Sequence, residues 1–393
     1  MTDYPTAIDL CAGCGGFSFG AQNVGFNVRA AFEIAPAPWY TYKVHIADHD
    51  DMALLSHDVT DVDLSKAPDD LDAVFGGPSC QPFSDAQGEH FDGNPRETVA
   101  FAVFRWVAEL RPKVAAIENV GGLKKNHPRI LGLFLDELRD AGYAVATVEL
   151  NAADYRVPQK RDRIFVLAVR GDLNPPATWE PPAVRTDDPG QARLTLGDDL
   201  DGYRTAGDAL DDLPRPLSPQ RPKNDPVHSV SPYDANRVTP HSCGVWMDVN
   251  DGQYVLGPQG GIRGDVLMPP NHVEADHERR TREEKATWPL GYCGRSTTDR
   301  RLDPDDAAPT MTVSDGHPPF HYAGKTPSND APVSDVRRLT VREVARLQTF
   351  PDHWCFAGTK KEQFRQVANA VPPLLAAHVA DHLRTEVIED SDS

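Results

Sequence analysis

Short apolar runs alternate with longer segments of helical period through the first 170 residues of the chain. Ala7–Leu10, Val28–Phe32, Ala73–Phe75, Val114–Ile117, Ala144–Leu150 and Ile164–Val169 read as buried strands. Helices are expected to start at Phe17 and run to Val24, and to span Glu97–Leu110 and Ile130–Ala141. In the last of these, Leu131, Phe134, Leu135 and Leu138 recur at i, i+3, i+4 and i+7 and form one apolar face. Strand–helix alternation of this kind predicts an α/β domain with a parallel, Rossmann-like sheet over residues 1–172.

The pattern then changes. Residues 173–330 are rich in Pro, Gly, Asp and Asn and hold no sustained period, which predicts a smaller, loop-rich domain with short strands. Regularity returns in a segment spanning 331–388, expected to rejoin the first domain. Thr340 followed by Glu343 forms a capping box that opens a helix through Gln348. An apolar helical stretch at 362–384 is interrupted by Pro372-Pro373, and the acidic tail 389–393 is expected to be disordered.

Composition narrows the function classes. A chain of 393 residues has room for two domains, and an apolar content of 39% is enough for a core. No stretch approaches the ~20 apolar residues of a membrane helix, and the opening residues lack a secretory pattern. Six cysteines in that context predict reduced thiols in the cytoplasm. The net charge of −19 opposes a phosphate-bearing partner at ordinary ionic strength. Abundant Asp with Arg favoured over Lys points instead to a salt-loving prokaryotic source. At 1 M salt the Debye length falls to about 3 Å, so only local basic contacts would count.

The candidate chemistry sits where the expected strands end. After Ala73-Val74-Phe75 comes Gly76-Gly77-Pro78-Ser79-Cys80-Gln81-Pro82-Phe83-Ser84, a stiff loop at the sheet edge where α/β folds bind ligands. Cys80 there is a candidate nucleophile, set against the commoner fate of a small buried hydrophobe. The first strand runs into Asp9-Leu10-Cys11-Ala12-Gly13-Cys14-Gly15-Gly16-Phe17, a glycine turn that lets a ligand approach the backbone. Glu33 follows Gly13 by about 20 residues, the spacing of a ribose-binding carboxylate, and Asp58 is placed to accept from an adenine amino group. Together they point to a nucleoside cofactor. Cys11-x-x-Cys14 has no second pair, so redox or metal use is not expected. Glu118, in Ile117-Glu118-Asn119-Val120, is a candidate proton donor set against a solvated turn glutamate. Strand alternation over Gln159-Lys160-Arg161-Asp162-Arg163 places Gln159, Arg161 and Arg163 on one face, as an oxygen-binding row or a solvated edge.

Taken in order, these segments, with Arg338–Asp352 and Gln366–Pro372, resemble the C5-cytosine DNA methyltransferases that use S-adenosylmethionine. The matches spread over more than half the chain. Arg301-Leu302-Asp303-Pro304 and Ala308-Pro309-Thr310 also resemble segments of bacterial and archaeal members. The resemblance implies Cys80 as the nucleophile toward C6 of a flipped cytosine, with Glu118 protonating N3. It implies Arg163 on the O2 side of the base and Arg161 supporting the catalytic loop. Its cofactor set is Asp9, Cys11, Gly13, Gly15, Gly16, Glu33, Ile34, Asp58, Val59, Pro78 and Asn369, with Asn369 closing the cofactor site.

The chain departs from the family pattern in places. Cys11 stands where phenylalanine is usual and Ile34 where an aromatic is frequent, which alters contacts to the adenine. Ser79 replaces a proline, and Arg156 and Ala368 each replace a common glycine. None removes a catalytic group, so activity is expected. The family carries its target-recognition domain where this chain has residues 173–330, with Arg237, Arg263 and Arg295 as candidate base readers. The implied partners are double-stranded DNA and a cognate restriction endonuclease, with no membrane and a monomeric state. Two alternatives stay open: a tRNA cytosine-5 methyltransferase of the same family, and a catalytically silent DNA-binding regulator on this scaffold.

Overall fold

The computed structural model describes residues 4–47, 52–61, 63, 65, 67–68, 70–78, 98–183, 203–213, 216, 245–248, 253–256, 262–263, 266–267, 271, 279–294, 300–312 and 318–391. Its first part runs β1 (Thr6–Leu10), α1 (Gly16–Asn23), β2 (Asn27–Phe32), α2 (Pro36–His45), β3 (Ala53–Leu55), β4 (Ala73–Gly76) and α3 (Val99–Leu110). It continues through β5 (Val114–Asn119), α4 (Gly121–Asn126), α5 (Pro128–Asp140), β6 (Tyr143–Asn151), β7 (Gln159–Lys160) and β8 (Asp162–Arg170). All the strands and helices expected up to Arg170 are present, shifted by a few residues at their ends. The pattern did not signal α2, β3, α4 or β7.

Seven strands form one sheet in the order β3-β2-β1-β4-β5-β8-β6. The neighbours from β3 to β5 are parallel. β8 corrects the expectation of a fully parallel sheet, because it runs antiparallel to both β5 and β6. Between β6 and β8 lie only a 3-10 turn (Ala152–Tyr155) and β7. That connection is too short for the crossover that parallel pairing requires.

Alternation along β1 sends Ala7 to one face and Ile8 and Leu10 to the other. On the first face, Phe17 and Ala21 of α1 pack with Leu375, Ala376, Val379 and Ala380. On the second lie Phe101, Phe104 and Val107 of α3 with Leu131, Phe134 and Leu138 of α5, the apolar face read from the sequence. The sheet is therefore a middle layer between helices.

The later elements are α6 (Ala206–Leu210), the antiparallel ladders β9 (Val245–Asp248) with β10 (Gln253–Leu256) and β11 (Ile262–Arg263) with β12 (Val266–Leu267), α7 (Arg279–Lys285) and β13 (Ala308–Pro309). Then come α8 (Val341–Leu347), α9 (Lys360–Asn369) and α10 (Pro373–Leu383). The capping box at Thr340 and Glu343 is formed, and Glu343 is also held by Arg337 at 2.7 and 2.8 Å. Pro372-Pro373 separates α9 from α10, with Pro373 in the first turn, where a missing N–H costs nothing. The tail is a correction: Glu389–Ser391 is helical, continuing a π-helical turn after α10.

β13 pairs with β7, and Thr310 Oγ1 donates to Lys160 O at 2.7 Å. The buried Arg301 guanidinium donates to the carbonyls of Lys285, Trp288, Lys325, Tyr322, Ala323 and Gly324. The two segments that resembled family members thus pin the loop-rich region to itself and to the strand leading into β8.

Candidate active site

β1 lies between β2 and β4, so connections leave it in opposite directions. This is the switch point at which α/β sheets bind ligands. A cavity of about 460 Å³ opens there. Its walls include Asp9, Cys11, Gly13 and Gly16 after β1, Glu33 and Ile34 after β2, Asp58 and Val59 after β3, and Pro78 after β4. Glu118 from β5, Arg161 and Arg163 at the start of β8, and Asn369, Ala370 and Val371 complete them. Every expected site residue described by the structure lines this one cavity except Gly15. Cys80 lies outside the described residues, as do Arg237 and Arg295. Arg263 is described only as backbone in β11.

The glycines serve different ends. Gly13 has φ +57° and open space where a Cβ would stand, so it meets the ligand-approach expectation. Gly15, φ +89°, is needed for packing instead, because a Cβ would stand 2.3 Å from Ile46 Cδ1. At Gly16 a Cβ would fall 2.2 Å from the Val371 carbonyl oxygen. Cys11 adopts φ +58° without a glycine. Burial and the nearby Glu33 carboxylate push the Cys11 thiol up, and burial does the same at Cys14, whose Sγ donates to Gln366 O at 3.6 Å. Among the described residues no three His, Cys, Asp or Glu side chains cluster as metal ligands.

Glu33 accepts from the Gly13 amide at 2.9 Å and the Ala35 amide at 2.7 Å, which ties the glycine turn to the start of α2. Burial nevertheless holds its pKa above the usual carboxylate range. Ile34 is 59% exposed at the rim, an apolar surface large enough to cover a ring. Asp58 accepts from the amide and hydroxyl of Thr60, which lower its pKa. Val59 O accepts from the buried Trp106 indole at 2.8 Å, fixing this wall to α3.

The inversion of β8 brings two distant residues together. Glu118 pairs with Phe165 in register, so Arg163 lies just past the end of β5. Its Nε sits 2.8 Å from Glu118 Oε1, with both side chains largely buried. The expected row of three does not form, because Arg161 interrupts the strand between β7 and β8. Gln159 is buried away from the cavity, bonded to Leu347 O, Gln348 Oε1 and the Met311 amide. Arg161 donates to Ala370 O at 3.0 Å and so braces the Asn369–Val371 wall.

Several cavity residues carried no readable signal. Pro36, Pro38 and His57 line it, as do Val99 and the polar face Glu362, Arg365 and Gln366 of α9. Gln366 is fixed by Thr41 Oγ1 at 2.6 Å and donates to Ala357 O. Its place depends on α9 folding back over α2, which local pattern does not encode.

A model of C-5 cytosine-specific DNA methylases matches residues 6–385. The chain belongs to that family. The match makes it a DNA cytosine-5 methyltransferase. This methylase is 30% identical to the Type II methyltransferase M.AgeI of Thalassovita gelatinovora, across 97% of its own length and 99% of the relative's. It is 28% identical to M.DdeI of Desulfomicrobium norvegicum, across 96% and 88%. Among solved structures, a methyltransferase from an E. coli prophage, titled a putative DNA modification enzyme, superposes with a TM-score of 0.66 at 23% identity, covering 97% of the methylase and 99% of that chain. The S. pombe Dnmt2 methyltransferase superposes with a TM-score of 0.57 at 16% identity, covering 99% and 100%. Both share its fold.

Proposed function

We propose that this methylase transfers a methyl group from S-adenosylmethionine to C5 of a cytosine flipped out of duplex DNA, through a transient bond to Cys80. The observation that carries this reading is the Glu118–Arg163 pair in the cavity wall beside Pro78, two residues before Cys80. The cofactor fits the donor set. Glu33 and Asp58 offer carboxylate oxygens for ribose and adenine, Ile34 offers an apolar cover, and Asn369 stands at the opposite wall. Carboxylates outnumber guanidinium groups around the cavity, which suits a ligand of net positive charge. Bound S-adenosylmethionine supplies an electrophilic methyl group on a sulfonium.

The protein's part is to make C5 nucleophilic. Cytosine C5 is a weak nucleophile within an aromatic ring. Addition of the Cys80 thiolate to C6, with a proton delivered to N3 by Glu118, leaves an enamine at C5. Arg163 orients the Glu118 carboxyl and is positioned for the base's O2. After methylation, loss of the C5 proton expels Cys80 by β-elimination. The attack requires an extruded base, since a stacked cytosine is inaccessible. Residues 173–330 are proposed as the domain that reads the duplex, and a cognate endonuclease as the biological partner.

The test incubates the protein with methyl-labelled cofactor and either duplex DNA or tRNA in molar KCl. Label in DNA, and a covalent complex with a 5-fluorocytosine duplex that Cys80→Ser abolishes, are expected. Label confined to tRNA would overturn the substrate, and transfer by Cys80→Ser would overturn the covalent route.

A further inference from the structure

One cavity residue has chemistry that the reading above leaves unused. Asp9, at the end of β1, is fully buried yet contributes to the cavity wall. Its Oδ2 accepts from Ser18 Oγ at 2.6 Å, and Ser18 Oγ in turn accepts from the Tyr42 hydroxyl at 2.7 Å. This relay fixes the carboxyl from one side only. Oδ1 has no hydrogen-bonding partner among the described residues. An unmatched buried carboxyl oxygen costs on the order of 1–3 kcal/mol, so a group completing it is favoured in proportion. The cavity is the side from which that group can come.

We propose that Asp9 Oδ1 receives the α-ammonium of the cofactor's amino-acid end, and that binding drives one proton off Asp9 into solvent. This rests on the cofactor reading above. Asp9–COOH and the ligand's R–NH3⁺ become the ion pair Asp9–COO⁻ with R–NH3⁺, and one H⁺ leaves. Burial, together with the Glu33 charge, raises Asp9 to about 7, against the lowering effect of Ser18. The free site is therefore mostly neutral below pH 7 and pairs with a cation only by releasing its proton. The groups facing Asp9 are Ser18 on α1, Tyr42 on α2, Glu33 after β2 and Cys11 on its own loop; Arg161, Glu118 and Arg163 share the cavity. Tyr42 and Cys11 are both pushed further from ionisation, so neither titrates near neutrality.

The experiment is calorimetric titration with S-adenosylhomocysteine and with its analogue in which hydrogen replaces the amine. The wild type is expected to prefer the amine-bearing ligand by about ten- to a hundredfold at pH 7.5, the span for a charged hydrogen bond. Its affinity should rise by up to about tenfold per pH unit from 5.5 to 7, then flatten, with proton release measured across buffers of different ionisation enthalpy. Asp9→Asn, nearly isosteric, should bind both ligands within about threefold and lose that pH dependence. Ser18→Ala removes a bond that favours the ionised form, so it should keep the preference and move the pH midpoint upward. Should Asp9→Asn not fold, Ser18→Ala and Tyr42→Phe carry the test through the same midpoint shift. An undiminished preference in Asp9→Asn, no preference in the wild type, or an unmoved midpoint in Ser18→Ala would overturn the role of Asp9. Wild-type protein binding neither ligand would instead overturn the cofactor reading.

Discussion

Gly16→Ala tests whether the cofactor wall is set by backbone packing between distant segments. The added Cβ would stand 2.2 Å from Val371 O, 3.3 Å from Phe350 Cζ and 3.4 Å from Ala370 Cβ. Relief to ordinary contact distance requires a displacement of roughly 1 Å. The atom that must move is backbone, and its neighbour Ala370 O holds Arg161. Overpacking of this kind costs roughly 1–3 kcal/mol, while alanine in a helix recovers at most about 1 kcal/mol over glycine. Chemical denaturation should show a net loss of about 1–2 kcal/mol. Because Gly16 and Val371 both line the cavity, S-adenosylhomocysteine affinity should fall on the order of 10- to 100-fold. Gly13→Ala is the control. Its Cβ meets nothing within 4 Å, so only the left-handed backbone opposes it, at a cost of about 1–2 kcal/mol. Cofactor affinity that falls no further in Gly16→Ala than in Gly13→Ala would refute the packing argument.

Two other outcomes are expected. Burial lowers His45 to about 3, and its Nε2 accepts the Cys355 amide at 2.8 Å. The unfolded chain therefore binds a proton near pH 6.5 that the folded chain refuses. Stability should be flat above that pH and fall by up to about 1.4 kcal/mol per unit as pH drops toward 3. Urea midpoints across pH, compared with His45→Asn, isolate this slope. Arg156 holds φ +62° where the family commonly has glycine. Arg156→Gly should raise thermal stability by about 1 kcal/mol by relieving the left-handed strain, and an unchanged or lower melting temperature would show that the arginine's own contacts outweigh it.

The strands were legible because each buries an uninterrupted apolar run, and the capping boxes because they are local in sequence. The sites at strand ends followed, since sheet topology delivers Glu33, Asp58, Glu118 and Arg163 to one edge. What the pattern could not give was set by partners far along the chain. The reversal of β8 is decided by the short link from β6, and it, rather than simple alternation, brings Arg163 to Glu118. Gln159 and Arg161 look equivalent to Arg163 in sequence, yet they bond to Gln348 and Ala370, which arrive late in the chain. Gly15 and Gly16 read as ligand glycines, while their contacts are Ile46 and Val371. Asp9 was singled out with its loop, but Ser18 and Tyr42, which orient it, carried no signal.

Arg161 and Gly16 both lean on Ala370–Val371, a stretch made after nearly all the rest of the chain. During synthesis the sheet can assemble on the ribosome with one side of its ligand chamber missing. A nascent or prematurely terminated product would then expose Leu375-class apolar surface along α1 and hold no cofactor. Translation of the closing helices thus acts as a licensing step, and unfinished molecules are left inert toward the genome and recognisable to quality-control proteases.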